Sequence, residues 1–192
     1  MKKQLGAKPW LYPMPTPLVA AAHEGERGVF TVAWIGIGSG TPATVAMAVR
    51  ATRNTLRLIE KSGEFTVNVP CVGQEAIVDF CGIVSGRDTD KFAAAGITPT
   101  PGTVVSAPLV EECPFNLECR LTGVHDMGEY RLVLGEILET HADEEILDEA
   151  GTGVDVGKLD PLVYVPGSRE YRGLTAKVAD AYSVGVPLKG RL

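Results

Sequence analysis

Nothing in the chain approaches the roughly 20 consecutive apolar residues that a membrane-spanning helix needs. The opening MKKQLGAKPW sets two lysines before no apolar leader segment, so the chain reads as soluble and cytoplasmic, with no membrane partner. Positive charge is also short: 18 Lys and Arg against 24 Asp and Glu leave a formal net charge of −6. That balance excludes general nucleic-acid binding, which needs a surplus of basic residues on one face. Any anionic ligand has to be gripped by a local positive cluster. Histidine is limited to His23, His125 and His141, and the cysteines at 71, 81, 113 and 119 show no CxxC or other zinc spacing, so no metal site is expected. Buried or semi-buried free thiols are the default for Cys71, Cys81, Cys113 and Cys119, with a redox or metal role as the alternative.

Several catalytic signatures are missing as well. There is no G-x-S-x-G elbow, no HExxH and no P-loop, which removes the usual grounds for hydrolase or kinase chemistry. Gly36-Ile37-Gly38-Ser39-Gly40 does not place a third glycine at the offset a dinucleotide fingerprint needs, where Thr41 stands, and lacks its following helix, because Pro42 and a strand come next. These glycines read instead as a strand-to-strand bend. The acidic residues Asp143, Glu144, Glu145, Asp148 and Glu149 form a solvated run, not the convergent carboxylate pair of a glycosidase.

What is present is an ordinary globular composition, 45% hydrophobic and 22% charged over 192 residues, expected to fold as a single domain spanning 1–192. Pro17 to His23 and Val29 to Ile35 read as β-strands, and Ala43 to Val49 as a third with little exposure on either face. A helix is predicted from Asn54 to Ser62, capped by Asn54 or Thr52 and stopped by Gly63. Glu64 to Pro70 alternates as a half-buried strand, and Gln74 to Val84 has helical spacing. Asp90 to Ala95 suggests a further turn, and Thr98 to Pro108 a proline-rich loop.

Phe115 to Thr122 alternates with Glu118 on its wet face, His125 to Glu129 turns, and Tyr130 to Leu138 returns antiparallel with a bulge at Gly135. Pro161 to Val165 is expected to be the last strand and Ala176 to Tyr182 a terminal helix. Strands joined mostly through turns, without βαβ alternation, predict a mainly β protein with inserted helices, closed as an antiparallel barrel so that few sheet edges stay open.

Two loops stand out. Arg50-Ala51-Thr52-Arg53-Asn54-Thr55 follows a strand and opens a helix, so backbone N–H groups, hydroxyls and guanidinium forks can converge on a phosphate. The same residues also fit a capped helix with two solvent-facing arginines. Ser85-Gly86-Arg87 with Lys91 is a second cluster of this kind, or a turn carrying surface charge. Together, in an acidic protein, they favour an anionic ligand.

On these and further segments the chain resembles the flavin reductase-like FMN-binding split-barrel family, and within it the flavoredoxins. The resemblance runs through Pro15-Thr16-Pro17-Leu18-Val19, Phe30-Thr31-Val32-Ala33-Trp34, Pro42 to Arg50, Glu64-Phe65-Thr66-Val67-Asn68-Val69-Pro70, Ser85 to Phe92, Leu117-Glu118-Cys119 and Gly135-Glu136. Ala43 departs from it, since many relatives carry a second proline there. The resemblance implies an antiparallel split β-barrel and a homodimer with FMN near the subunit interface. It places Thr31, Ala33 and Trp34 beside the flavin ring, and Arg50, Thr52, Thr55, Ser85, Gly86, Arg87 and Lys91 on its ribityl and phosphate. Trp34 also suits a core aromatic, and Asn68 a strand edge.

No catalytic side chain is expected, because the flavin would carry the chemistry. Three functions fit: an NAD(P)H-dependent reductase of flavin, ferric complexes or another acceptor; an FMN carrier between redox proteins without nicotinamide binding; or a non-redox barrel binding an anion or a partner chain.

Overall fold

The run Leu18–Ala22 is apolar without alternation because its strand is covered on both sides: Val19 and Ala21 enter one core, Leu18 and Ala20 another. The computed structural model describes residues 1–174 and 176–187, and two apolar layers organise it.

The strands in chain order are β1 Met14–Pro15, β2 Leu18–His23, β3 Glu26–Thr31, β4 Ile35–Gly40, β5 Ala43–Arg50, β6 Glu64–Val69, β7 Pro99–Thr100, β8 Leu109–Val110, β9 Phe115–Met127, β10 Tyr130–Ala142, β11 Val163–Val165 and β12 Glu170–Arg172. The helices are α1 Asn54–Ser62, α2 Glu75–Ile83, α3 Lys91–Ala95 and α4 Val156–Leu159, with a 3₁₀ turn at Glu144–Ile146.

Seven strands form one antiparallel sheet in the order β3-β2-β6-β9-β10-β5-β4. It curls around a shared core in which Phe30, Met47, Phe65, Cys119 and Val133 meet Leu56, Leu58 and Ile59 of α1. The edge strands β3 and β4 follow one another in the chain but do not pair, so the barrel is split and not fully closed as its turn-linked strands suggested. The chain crosses that gap at residues 32–34, tied down by Val32 N to Pro17 O (3.1 Å) and Ala48 N to Trp34 O (2.8 Å). The second layer covers the outer face of β2 and β3 with Val78 and Cys81 of α2, Phe92 of α3, Ile97, Val110 and Cys113. All four cysteines are free, with Cys81, Cys113 and Cys119 buried and Cys71 half-buried.

Five strands, not three, precede α1: the short β1 pairs with β11, and the glycine-rich bend is itself strand β4, paired along β5. A Cβ at Gly38 would come within 3.3 Å of the Ala46 Cβ, so this one glycine lets the edge strand lie close to its neighbour. Strand β5 alternates, burying Val45, Met47 and Val49 and leaving the intervening residues partly open. The N-cap of α1 is Arg53, with no side-chain cap, so neither Asn54 nor Thr52 caps it. Strand β6 is covered on both faces: Thr66 Oγ1 donates to Pro108 O (2.6 Å), and Asn68 is satisfied by Leu18 O, Val110 N and Asn116 in the interior, not at an edge.

Glu118 is fully buried, not on a wet face. Strand β9 runs on to Met127, so the hairpin turn shrinks to Gly128-Glu129. The expected bulge at Gly135 is present as a register shift, and a Cβ there would overlap the Phe65 ring. Strand β12 follows the expected last strand, and 176–182 forms no helix.

Candidate functional site

Strand β5 delivers Arg50 to the end of the barrel, where Ala51 N donates to Glu129 O (3.0 Å) and Arg53 N to Arg50 O (3.0 Å), a tight turn leading straight into α1. Because no side chain caps α1 and its first turn holds no acid, its leading N–H groups and its positive dipole end remain available to an anion. Asn54 is turned elsewhere: its amide donates to Glu26 Oε1 (3.0 Å) and Gly86 O (3.3 Å).

The second loop reaches the same place through the end of α2. Carbonyls in the last turn of a helix lack intrahelical partners, and two of them are taken by cations: Cys81 O accepts from Lys91 Nζ (2.7 Å) and Gly82 O from an Arg53 guanidinium nitrogen (2.6 Å). Lys91 is only 4% exposed. The two loops thus enclose a recess of about 170 Å³ lined by Phe30, Arg50, Thr52, Arg53, Asn54, Thr55, Ile83 to Gly86, and Lys91. A second recess, about 140 Å³, runs from Phe30 to Trp34 and on to Ala48, Arg50, Arg53 and Tyr130. Phe30, Arg50 and Arg53 form the wall common to both.

Charge pairing sorts the nearby cations into two groups. Arg57 is paired with Glu26, and Arg27 with Asp90 at 3.4 Å. Arg50, Arg53, Arg87 and Lys91 have no carboxylate partner among the described residues. Burial, then repulsion from Arg50, holds the Arg53 pKa below its ordinary value. For Lys91 burial is again the main cause of a pKa lowered to about 8, with Arg53 adding to it and Cys81 opposing. Unneutralised, partly desolvated cations of this kind are unfavourable until an anion joins them.

Of the residues singled out in the sequence, Arg50, Thr52, Thr55, Ser85, Gly86 and Lys91 line the first recess, and Thr31, Ala33, Trp34 and again Arg50 the second. Two are less free than expected: the Thr31 hydroxyl donates to Val78 O, and Arg87 stands outside the recess, donating to Thr52 O at 3.2 Å. Trp34 is no core aromatic; it is 37% exposed and stacks on Tyr130 with ring centroids 4.8 Å apart. The site residues that the resemblance supplied do not include Phe30, Arg53, Asn54 and Tyr130, which also line the recesses. Arg53 and Asn54 sit inside the loop already singled out. Tyr130 lies opposite Arg50 across β5 and β10, a neighbour visible only once the register is known.

The model of the flavin reductase like domain matches residues 10–175. The chain belongs to the flavin reductase-like family. Flavoredoxin of Desulfovibrio vulgaris (Miyazaki F) superposes with a TM-score of 0.91 at 36% identity, covering 96% of this chain and all of that one. Flavoredoxin from Methanosarcina acetivorans gives 0.91 at 28% identity over 98% of this chain and 99% of its own. In sequence, the reductase component of 4-hydroxyphenylacetate 3-monooxygenase from Thermus thermophilus is 32% identical over 130 residues, 68% of this chain and 77% of that protein. A flavin cofactor and a flavin-related redox role follow from the family. The residues fit such a group: carboxylate-free cations and helix N–H donors suit a phosphate, and the aromatic-edged recess beside them suits a ring.

Proposed function

We propose that this flavin reductase-like protein binds FMN across the two recesses and serves as an oxidoreductase, taking reducing equivalents from NAD(P)H and delivering them to a free flavin or another acceptor. The observation that carries the reading is the convergence of Arg50, Arg53 and Lys91, none with a carboxylate partner among the described residues, on a recess that also receives the N-terminus of α1. Arg50, Thr52, Thr55, Ser85, Gly86 and Lys91 hold the phosphate and ribityl, joined by Arg53, with Arg87 bracing the loop from outside. Thr31, Ala33 and Trp34 border the ring. Bound FMN supplies hydride and one-electron chemistry, so the protein's part is to bind, orient and tune it.

The purified protein is expected to be yellow or to take up FMN on titration, and anaerobic NADH or NADPH is expected to bleach the bound flavin. Failure of FMN uptake in calorimetry would remove the reading. Arg50→Ala is expected to weaken FMN binding by about 1–3 kcal/mol, the range for a lost charged hydrogen bond. An unchanged dissociation constant would take Arg50 out of the site.

The reading includes a homodimer. Leu11 (72% exposed) and Trp10 (42% exposed) line an apolar groove of about 500 Å³ that runs between the N-terminal segment and Trp34 and Ile35. Apolar surface concentrated there suits a second copy closing over the ring recess. Sedimentation equilibrium is expected to return twice the 20.4 kDa chain mass; a monomer at micromolar concentration would count against it.

A further inference from the structure

Arg50 belongs to both recesses, and what holds it there is a ring. Its guanidinium carbon lies 5.3 Å from the Tyr130 centroid, and Tyr130 is its cross-strand partner in the β5–β10 ladder. Trp34 stacks on the same ring at an interplanar angle of 30°. Trp34, Tyr130 and Arg50 thus form a cluster along the wall of the ring recess. The backbone at this point is fixed by the Ala51 N to Glu129 O bond. Among the described residues the Tyr130 hydroxyl makes no hydrogen bond, so the ring face and not the phenol is engaged with Arg50.

We infer that Tyr130 is a positioning residue that holds the Arg50 guanidinium at the boundary of the two recesses and thereby gives the site its preference for a phosphorylated flavin over the bare one. The inference rests on the flavin reading above. An exposed arginine without a carboxylate samples many rotamers, and fixing it on an anion costs the side-chain entropy so released. A ring that already holds the guanidinium by cation–π attraction removes part of that cost in advance. The benefit reaches only a ligand carrying the anion that Arg50 meets. Arg53, the other cation on the shared wall, is held independently by Gly82 O and the Phe30 ring, so it does not substitute for the Tyr130 contact.

The test compares dissociation constants for FMN and for riboflavin in the wild type, Tyr130→Phe, Tyr130→Leu, Arg50→Ala and the Arg50→Ala/Tyr130→Leu double variant. The ratio of the two constants cancels whatever the ring contributes to isoalloxazine binding through Trp34. Tyr130→Phe, which keeps the face, is expected to keep the wild-type ratio. Tyr130→Leu is expected to lower the preference for FMN about threefold to tenfold. In the Arg50→Ala background the same change is expected to have no further effect on the ratio, as for two residues acting through one contact. An undiminished preference in Tyr130→Leu would overturn the inference, as would an equal loss in Tyr130→Phe, or additivity in the double variant. A wild type that takes up neither flavin would overturn the flavin reading itself, and the role of Tyr130 with it; wild-type preference for FMN that survives Tyr130→Leu would overturn the role of Tyr130 alone.

Discussion

Lys91→Met is expected to weaken FMN binding about tenfold to a hundredfold while leaving the flavin-free protein at least as stable, within about 1 kcal/mol, as the wild type. The first expectation follows from losing one charged hydrogen bond to a phosphate, about 1.5–3 kcal/mol. The second follows from burial. Lys91 keeps an ammonium in a site 4% exposed, facing Arg53 and without a carboxylate partner among the described residues, its hydrogen-bond partner being the neutral carbonyl of Cys81 at 2.7 Å. Removing a buried cation of this kind gives up one hydrogen bond but also ends a desolvation cost. Opposite effects on ligand affinity and on free stability mark a residue kept for binding.

The same group sets a pH dependence. In the flavin-free fold its pKa is lowered to about 8 from an ordinary 10.5, so between those values the unfolded chain binds more protons and this group adds stability as pH rises. Its unfavourable contribution is fully present below pH 8. A phosphate dianion prefers the protonated ammonium, so FMN affinity is expected to fall as pH rises above about 8, and Lys91→Met is expected to flatten that fall. Isothermal titration between pH 7 and 10 measures both; equal slopes in the two proteins would separate Lys91 from the phosphate.

The parts legible in the sequence were those with a local signature. Helix α1 came through residue for residue because its apolar spacing, carried by Leu56 and Ile59, is amphipathic and Gly63 ends it in a left-handed conformation, φ 74°. The two basic loops could be located from composition, and the family resemblance joined them. What physically joins them was not legible: Lys91 and Arg53 meet because consecutive carbonyls, Cys81 and Gly82, are left free at the end of α2 and each takes a cation. No sequence periodicity encodes that. Strand β4 was missed because alternate glycines read as a bend, whereas the β5 register makes them an edge strand. The resemblance, not any local pattern, assigns Arg87 a flavin contact, and the hydrogen bond from its guanidinium to Thr52 O, which ties the second loop to the first, has no signature in the sequence.

Glu118 shows the same limit from the other side, and its replacement is expected to have the largest effect on stability. On β9 it alternates with Leu117 and Cys119, so pattern alone assigns it to solvent. In the fold it is 0% exposed and holds the proline-rich loop after β7 onto the sheet. Its two oxygens accept from Thr103 N (2.8 Å), Thr103 Oγ1 (2.7 Å), Val104 N (2.8 Å) and Val105 N (2.8 Å), and His141 Nε2 lies 2.6 Å from Oε1. A Cβ at Gly102 would come within 2.6 Å of Oε2, so glycine is needed for the loop to wrap this closely.

Burial alone would push the carboxyl pKa up, but the N–H groups of Thr103 and Val104, the Thr103 hydroxyl and His141 together bring it down to about 2. A folded-state pKa depressed from an ordinary 4.5 means that the stabilisation is present above that pH and is lost as pH falls toward 2. Glu118→Ala leaves the buried Val105 N–H and the part-buried donors of Thr103, Val104 and His141 without their acceptor and is expected to cost about 3–5 kcal/mol in denaturant unfolding, with the loop at 101–107 becoming the first site of proteolysis. The acid limb of the stability profile between pH 4.5 and 2 is expected to become shallower in the variant. Because the loop packs against β6 and β9 and none of its residues lines either recess, the FMN dissociation constant of the folded variant is expected to match the wild type. A loss of FMN affinity in proportion to the loss of stability would mean that the loop and the binding recesses unfold as one unit.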